Sequence, residues 1–250
     1  MNNSLKDILY KVQILAMSGS SDQKISNIEI DSRKIKKNNL FIALSGIRSD
    51  GHDYIENAIS NGAIAIICNE FPDNLNKSYT YIKVKDTQKA LGIISGNFFE
   101  NPSKKIKLVG ITGTNGKTTI SSLLFLLFNK QNKKAGLIST IDIKYGKHVI
   151  KSEHTTPDIN TINYFLYKML EINIKYCFME VSSHGISQGR TDGLHFSGAV
   201  FTNLTHDHLD YHKSFKNYRN TKKLLFDRLS KSAFSLVNKD DKNSSFMLQN

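Results

Sequence analysis

Cysteine is scarce in this 250-residue sequence. The only two, Cys68 and Cys177, lie far apart and match no metal or redox spacing, which suits a reducing cytoplasm. Long apolar runs are missing as well. The longest uncharged stretch around SSLLFLLF is Thr118–Asn129, too short to cross a bilayer. The opening MNNSLKDILYKVQ has no apolar block and no small-residue cleavage site, so no secretion signal is read. Repeats and low-complexity tracts are also lacking. Acidic residues are the minority, with 22 Asp and Glu against 34 Lys and Arg, a net charge of +12. With 39% hydrophobic and 22% charged residues, the chain is neither a disordered acidic tail nor a membrane protein.

The positive balance raises the question of nucleic acid. The lysines are scattered in pairs (Lys36-Lys37, Lys104-Lys105, Lys133-Lys134, Lys222-Lys223) and line no single face. No aromatic–basic platform accompanies them. A solvated surface is the reading adopted, and no nucleic-acid or membrane partner is expected.

The length accommodates one large domain or two smaller ones, and the pattern divides near Lys85-Asp86-Thr87. Residues 1–86 read as a small α/β unit. Its strands are Ile25–Ile30, Leu40–Leu44, Ala63–Cys68 and Tyr79–Val84, with a helix over Tyr54–Asn61 closed by Gly62. Residues 87–250 open on a helix over Gln88–Phe99 and continue as a second α/β pattern. Strands are expected at Ile106–Thr112, Gly136–Thr140, Tyr176–Val181, Ala199–Leu204 and Ala233–Val237, with a hairpin over Ile141–Ile150. Helices are expected over Ile159–Ile172 and Phe215–Leu229, and around Ile120, Leu123, Leu124, Leu127 and Phe128, which fall on one helical face. The class is α/β with a mostly parallel sheet covered on both faces, whose ligands sit at the carboxyl ends of the strands.

Four passages carry chemistry. Gly110–Thr119, GITGTNGKTT, lies between a strand and a helix, the context of a phosphate loop. Its amides would curl around phosphate oxygens, Lys117 would reach the terminal phosphates and the Thr118 hydroxyl would hold Mg2+. The strict P-loop spacing fails, because Ile111 stands where a glycine is required. Glu180 closes an apolar strand, where a carboxylate is costly unless it is paired, caps the next turn or binds metal. The run NLTHDHLDYH (203–212) packs three histidines and two aspartates after a strand. It is compatible with a dinuclear metallohydrolase, although its last step is one residue too long, and also with a structural turn. Lys222, in YRNTKKLLFDRL, is ordinarily a solvated charge. Forced into a crowded site it becomes neutral and can add CO2, giving a carbamate that binds Mg2+ as a carboxylate does.

Taken together these passages resemble the Mur ligase superfamily, and within it the UDP-N-acetylmuramoyl-tripeptide synthetases. The loop ITGTNGKTT is that superfamily's phosphate-loop form. Further support comes from Asp31-Ser32-Arg33 with LFIALSG and Asp50-Gly51, from His154-Thr155-Thr156-Pro157-Asp158, from EVSSHGISQGR, and from NLTHDHLDYH followed by YRNTKKLL. The resemblance spans essentially the whole chain. It implies an N-terminal UDP-sugar-binding domain at 1–86 and a central P-loop-type ATP domain at 87–250. It implies ATP binding by Gly113, Thr114, Asn115, Gly116, Lys117, Thr118, Thr119 and Asn203. Thr118, Glu180, His208 and a carbamylated Lys222 would organise Mg2+, and Lys117, Glu180, His208 and Lys222 would be the catalytic set. Ile30, Ser32, Ile47, Arg48 and Ser49 would contact the uridine diphosphate end. Thr155, Thr156, Ser182, Gln188 and Arg190 would hold the sugar–peptide end.

The implied reaction transfers the γ-phosphoryl of ATP to the D-Glu γ-carboxylate, and a diamino acid (meso-diaminopimelate or L-lysine) then attacks the acyl phosphate. A cytoplasmic monomer acting on UDP-MurNAc-L-Ala-D-Glu, ATP and the diamino acid is expected. The superfamily also carries a C-terminal domain that binds the amino acid. The sequence-based expectation is that this chain stops inside the central domain, making it a fragment or a reduced product with little turnover of its own. The competing readings are a folylpolyglutamate synthetase, the next Mur enzyme, and a nucleotide- or UDP-sugar-binding module without catalysis. The role of His206 is left open.

Overall fold

The computed structural model describes residues 3–46 and 49–249, and they form two compact units, Met1–Glu100 and Asn101–Asn250. The first unit holds a five-stranded sheet built from Ile14–Ser18 (β1), Asn27–Glu29 (β2), Asn39–Ile42 (β3), Ala63–Cys68 (β4) and Thr80–Val84 (β5). The order is β1-β5-β4-β3-β2, antiparallel only at β1. The run AIAIIC forms β4 because it is apolar on both faces, as an inner parallel strand must be. Helix α1 (Ile55–Ser60) ends before Gly62, whose φ of +114° releases the chain into β4. The strand expected over Ile25–Ile30 is broken at Ser26, whose hydroxyl and N–H bond to the Lys37–Asn39 turn instead of a ladder.

Helix α2 (Thr87–Phe98) is capped by Asp86, which accepts the Lys89 N–H at 2.9 Å. It belongs with the first unit, so the seam lies one helix beyond the boundary read from sequence. The reason is a set of contacts distant in sequence. Asn97 donates to the carbonyls of Ile8 (3.0 Å) and Tyr10 (2.7 Å), and Asn3 donates to Phe98 O at 2.6 Å.

The second unit is built on a seven-stranded sheet. Besides two short helices, Pro102–Lys105 and Leu209–His212, its elements in chain order are β6 (Lys107–Thr112), α3 (Lys117–Lys130), β7 (Ala135–Ile138), β8 (Asp142–Tyr145), β9 (His148–Lys151), α4 (Ile159–Glu171), β10 (Tyr176–Glu180), α5 (Ser183–Ser187), β11 (Gly198–Phe201), α6 (Phe215–Asp227), β12 (Phe234–Val237) and α7 (Ser244–Met247). The order is β9-β8-β7-β10-β6-β11-β12, with β8 and β9 the antiparallel hairpin and the rest parallel. From β6 the chain moves to one side through β7 and β10, then returns to the other side at β11. That reversal is a topological switch point, and in open α/β sheets ligands bind at such a point, here the carboxyl ends of β10, β6 and β11.

On one sheet face, α4 buries Ile159, Ile162, Phe165, Leu166 and Met169. Each such side chain contributes about 1.5–3 kcal/mol. On the other face α3 packs Ile120, Leu124, Phe125 and Phe128 over Val109, Ile111 and Phe178. The helical face read from sequence is therefore rotated: Leu123 (60% exposed) and Leu127 (49%) look outward, and Phe125 takes the inner place. Both cysteines are free and buried, and no helix among the described residues is long and apolar enough to cross a membrane.

Candidate functional site

The phosphate loop leaves β6 at Thr112. Gly113 has φ +154°, and a Cβ there would stand 1.9 Å from Thr202 Oγ1, so only glycine fits. Gly116, at φ +83°, caps α3 in the left-handed region. The loop is fastened to the segment after β11. Thr114 N–H donates to Asn203 O (2.9 Å), Asn115 N–H to Asn203 Oδ1 (3.0 Å), and Thr202 Oγ1 to Asn115 O (2.6 Å). Two loop amides are thus spoken for. The N–H groups of the first turn of α3 have no intrahelical acceptor, which makes them anion donors.

Two lysines converge on one loop carbonyl. Lys117 Nζ donates to Gly113 O (3.0 Å) and Thr114 O (2.8 Å), and Lys222 Nζ donates to Gly113 O at 2.8 Å. The helix position of Lys222 suggests a solvated charge, yet its residue is 1% exposed and its ammonium lies 4.7 Å over the Tyr218 ring. Burial and the neighbouring Lys117 push it down to about 7, against the pull of Asp207. Burial likewise lowers Lys117, opposed by Glu180 and Asp207.

Glu180 ends β10 beside Ile111 and is fully buried. Its carboxylate accepts the Thr118 hydroxyl (3.0 Å), the Thr140 N–H (3.0 Å) and the Thr140 hydroxyl (2.9 Å). Among the described residues it has no ion-pair partner at salt-bridge distance. A buried carboxylate joined to a threonine hydroxyl, with no cation at ion-pair distance, is the hard-oxygen donor set that Mg2+ takes when phosphates supply the remaining ligands. The residues present therefore fit the ion.

His208 is exposed and sits at φ +52°, its N–H held by Asp207 Oδ1 at 2.9 Å. Its ring meets His184 at 4.7 Å, and His184 touches Tyr211 (4.2 Å) and His212 (5.7 Å). Burial first, then the neighbouring positive charges, lower both His184 and His212. His206 turns aside onto Phe215, at 4.8 Å between rings. The three histidines of the 203–212 run do not converge as a dinuclear centre requires. No group of three or more His, Cys, Asp or Glu among the described residues is placed to hold a metal by itself.

The residues expected to hold a sugar–peptide form a second, adjoining cluster. Arg190 spreads its fork between Thr156 O (2.7 Å) and Gln188 Oε1 (2.6 Å). Thr156 Oγ1 accepts the Ser182 N–H at 2.9 Å, and Ser182 caps α5 through Gly185 N–H. Thr155 is joined through the Thr140 hydroxyl (3.1 Å) to Glu180. Ile30, Ser32 and Ser49 belong to the first unit, with Ser32 buried in a short 3-10 turn. Ile47 and Arg48 lie outside the described residues. Sequence reasoning passed over Tyr218, Thr140, Thr202 and Tyr211. The signal for Tyr218 was its place one helical turn before Lys222. For Thr140 it was a hydroxyl residue just past the end of β7.

The profile of the Mur ligase middle domain matches residues 111–250, and that of the Mur ligase family catalytic domain matches 24–99. UDP-N-acetylmuramoyl-L-alanyl-D-glutamate–2,6-diaminopimelate ligases of Cytophaga hutchinsonii and Bacteroides fragilis are 47% and 49% identical over 98% of this chain, which spans 51% of each. A solved structure of a ligase of that name superposes with a TM-score of 0.82 at 27% identity, over all of this chain and 50% of the other. A MurF ligase from Thermotoga maritima in complex with ADP shares the fold, at a TM-score of 0.60 and 21% identity, over 86% of this chain and 46% of the other. The chain spans about half the length of these relatives. With the middle-domain profile covering more than half of its residues, the chain belongs to the Mur ligase family.

Proposed function

We propose that this chain carries the ATP- and UDP-sugar-binding parts of a ligase that adds 2,6-diaminopimelate to UDP-N-acetylmuramoyl-L-alanyl-D-glutamate, with ADP and phosphate as by-products. Peptidoglycan precursor synthesis in the cytoplasm is the setting this reading implies. The choice of diaminopimelate over lysine follows the names of the curated relatives. The observation that carries the reading is the pairing of a cation-lined phosphate loop with a buried carboxylate that has no cation at ion-pair distance. Lys117 and Lys222 share the Gly113 carbonyl, and Glu180 stands on the neighbouring strand.

Each residue has a distinct task. The first-turn amides of α3 and Lys117 bind the β- and γ-phosphates, Lys117 exchanging its loop carbonyls for phosphate oxygens. Thr118, Glu180, His208 and carbamylated Lys222 would hold Mg2+, which when bound neutralises phosphate charge so that one anion can approach another. The near-neutral amine of Lys222 can take up CO2, forming an N–C bond and releasing a proton. Arg190, held by Thr156 and Gln188, presents its remaining donors to the carboxylates of the sugar–peptide. Thr155 and Ser182 bound the same cluster beside Glu180.

Titration calorimetry of the 250-residue chain with ATP, with and without Mg2+, and with UDP-MurNAc-L-Ala-D-Glu tests the reading. Binding of both ligands, with Mg2+ strengthening ATP, is expected. A folded chain that binds neither overturns it.

A further inference from the structure

The segment after β12 returns to the site and brackets the residues that hold the phosphate loop. Asn238 N–H donates to Phe201 O at 3.0 Å, and Asp241 Oδ2 accepts the Leu204 N–H at 2.7 Å. Between those two anchors lie only Thr202 and Asn203. They make the main hydrogen bonds to the loop: Thr202 N–H to Thr112 O (3.0 Å), Thr202 Oγ1 to Asn115 O (2.6 Å), and Asn203 to both polar groups of the Asn115 backbone (3.0 and 3.2 Å). Thr205 N–H, just beyond, donates to Thr114 Oγ1 at 3.0 Å.

Asp241 is itself firmly placed. Its Oδ1 accepts the Asn243 N–H (2.8 Å) and Asn243 Nδ2 (3.0 Å), and its own N–H donates to Asn238 O at 3.1 Å. Burial works against its charge, but the N–H donors of Asn243 and Leu204 outweigh it and hold the carboxyl below its ordinary value. It is therefore an ionised acceptor at neutral pH, and hydrogen bonds to charged acceptors are the stronger kind.

We propose that Asp241 is a positioning residue for nucleotide binding: by fixing the Leu204 amide it sets the Thr202–Asn203 clamp, and through that clamp the shape of the phosphate loop, without touching nucleotide. The inference rests on the nucleotide reading above. It predicts control from a segment with no catalytic residue of its own, through a chain of backbone contacts.

The test uses the 250-residue chain and Asp241→Ala, with Asp241→Asn as the gentler variant and Asn243→Ala as the comparison. Asn243→Ala removes a donor from the same carboxylate but leaves the bond to Leu204. Two readouts are taken: affinity for Mg·ATP, and amide exchange at Leu204, Thr114 and Asn115. Asp241→Ala should weaken Mg·ATP about tenfold and speed exchange at those three amides, with the amides of β6 and β10 unchanged. Asn243→Ala should lower the melting temperature yet keep Mg·ATP affinity within about twofold. Should Asp241→Ala not fold, Asp241→Asn is read in its place, since it must lose one set of acceptors. Wild-type affinity and exchange in a folded Asp241 variant overturn the inference, as does equal loss of affinity in Asn243→Ala. If the unaltered chain shows no affinity for Mg·ATP, the nucleotide reading fails, and exchange at Thr114 and Asn115 still decides the role of Asp241.

Discussion

Replacing Lys222 with methionine should stabilise the ligand-free chain at neutral pH and flatten its dependence on pH. Lys222 is 1% exposed, and its ammonium is pushed from 10.5 to about 7 by burial and by Lys117. Unfolding returns the side chain to water and to its ordinary value. Between about 7 and 10.5 the unfolded chain holds a proton that the folded chain lacks, so stability rises with pH across that window. Below about 7 both states are protonated and the full cost of burying the charge remains. At about 1.4 kcal/mol per pH unit, the whole gap is a ceiling of about 5 kcal/mol. About 2 kcal/mol of it is recovered between roughly pH 7 and pH 9.

Methionine keeps the length of the side chain over Tyr218 and leaves Gly113 O to Lys117. The assay is urea unfolding in CO2-stripped buffer at the two pH values, taken as the difference between wild type and Lys222→Met, so that titrating groups remote from Lys222 cancel. Adding bicarbonate should then stabilise the wild type and leave the variant unchanged, because carbamate formation traps the neutral amine. Identical pH gradients in the two proteins would refute the reasoning.

Three further outcomes follow from the same site. Glu180→Gln keeps volume but removes the charge, so Mg2+ should no longer strengthen ATP binding; calorimetry with and without the ion decides it, and unchanged magnesium dependence removes Glu180 from the metal site. Gly113→Ala places a methyl against Thr202 Oγ1 and should cost about 1–3 kcal/mol in chemical denaturation, whereas wild-type stability would mean the loop yields freely. Arg190→Lys loses the fork that spans Thr156 O and Gln188 Oε1. It should weaken UDP-MurNAc-L-Ala-D-Glu about tenfold while ATP affinity holds, and equal loss of both ligands would count against a substrate-side role.

What sequence made legible was whatever local pattern dictates. The run AIAIIC can only be an inner strand, and Ala63–Cys68 is where it lies. The strand–loop–helix around Gly113–Thr119 followed from Gly-Lys-Thr-Thr standing between an apolar strand and an amphipathic helix, although the strict glycine spacing fails at Ile111. What stayed hidden depends on contacts distant in sequence. Nothing in YRNTKKLL says that Lys222 loses its water, because its acceptor Gly113 lies 109 positions away. Asp241 reads as one acid in a polar stretch, KDDKN, until the fold sets it against Leu204. Leu123 and Leu127 satisfied the helical period, but the sheet beneath α3 chose Phe125. The metallohydrolase pattern in NLTHDHLDYH dissolves for a similar reason, since His206 leaves the group to lie on Phe215.

The way Lys117 folds back onto its own loop has a thermodynamic consequence. Each bond that it gives to an incoming phosphate replaces one already given to Gly113 or Thr114, so the count of hydrogen bonds made by Lys117 itself barely changes on occupation. Attraction between unlike charges is what remains to drive capture. Association should therefore be sensitive to ionic strength at these contacts, with the resting loop acting as its own temporary guest.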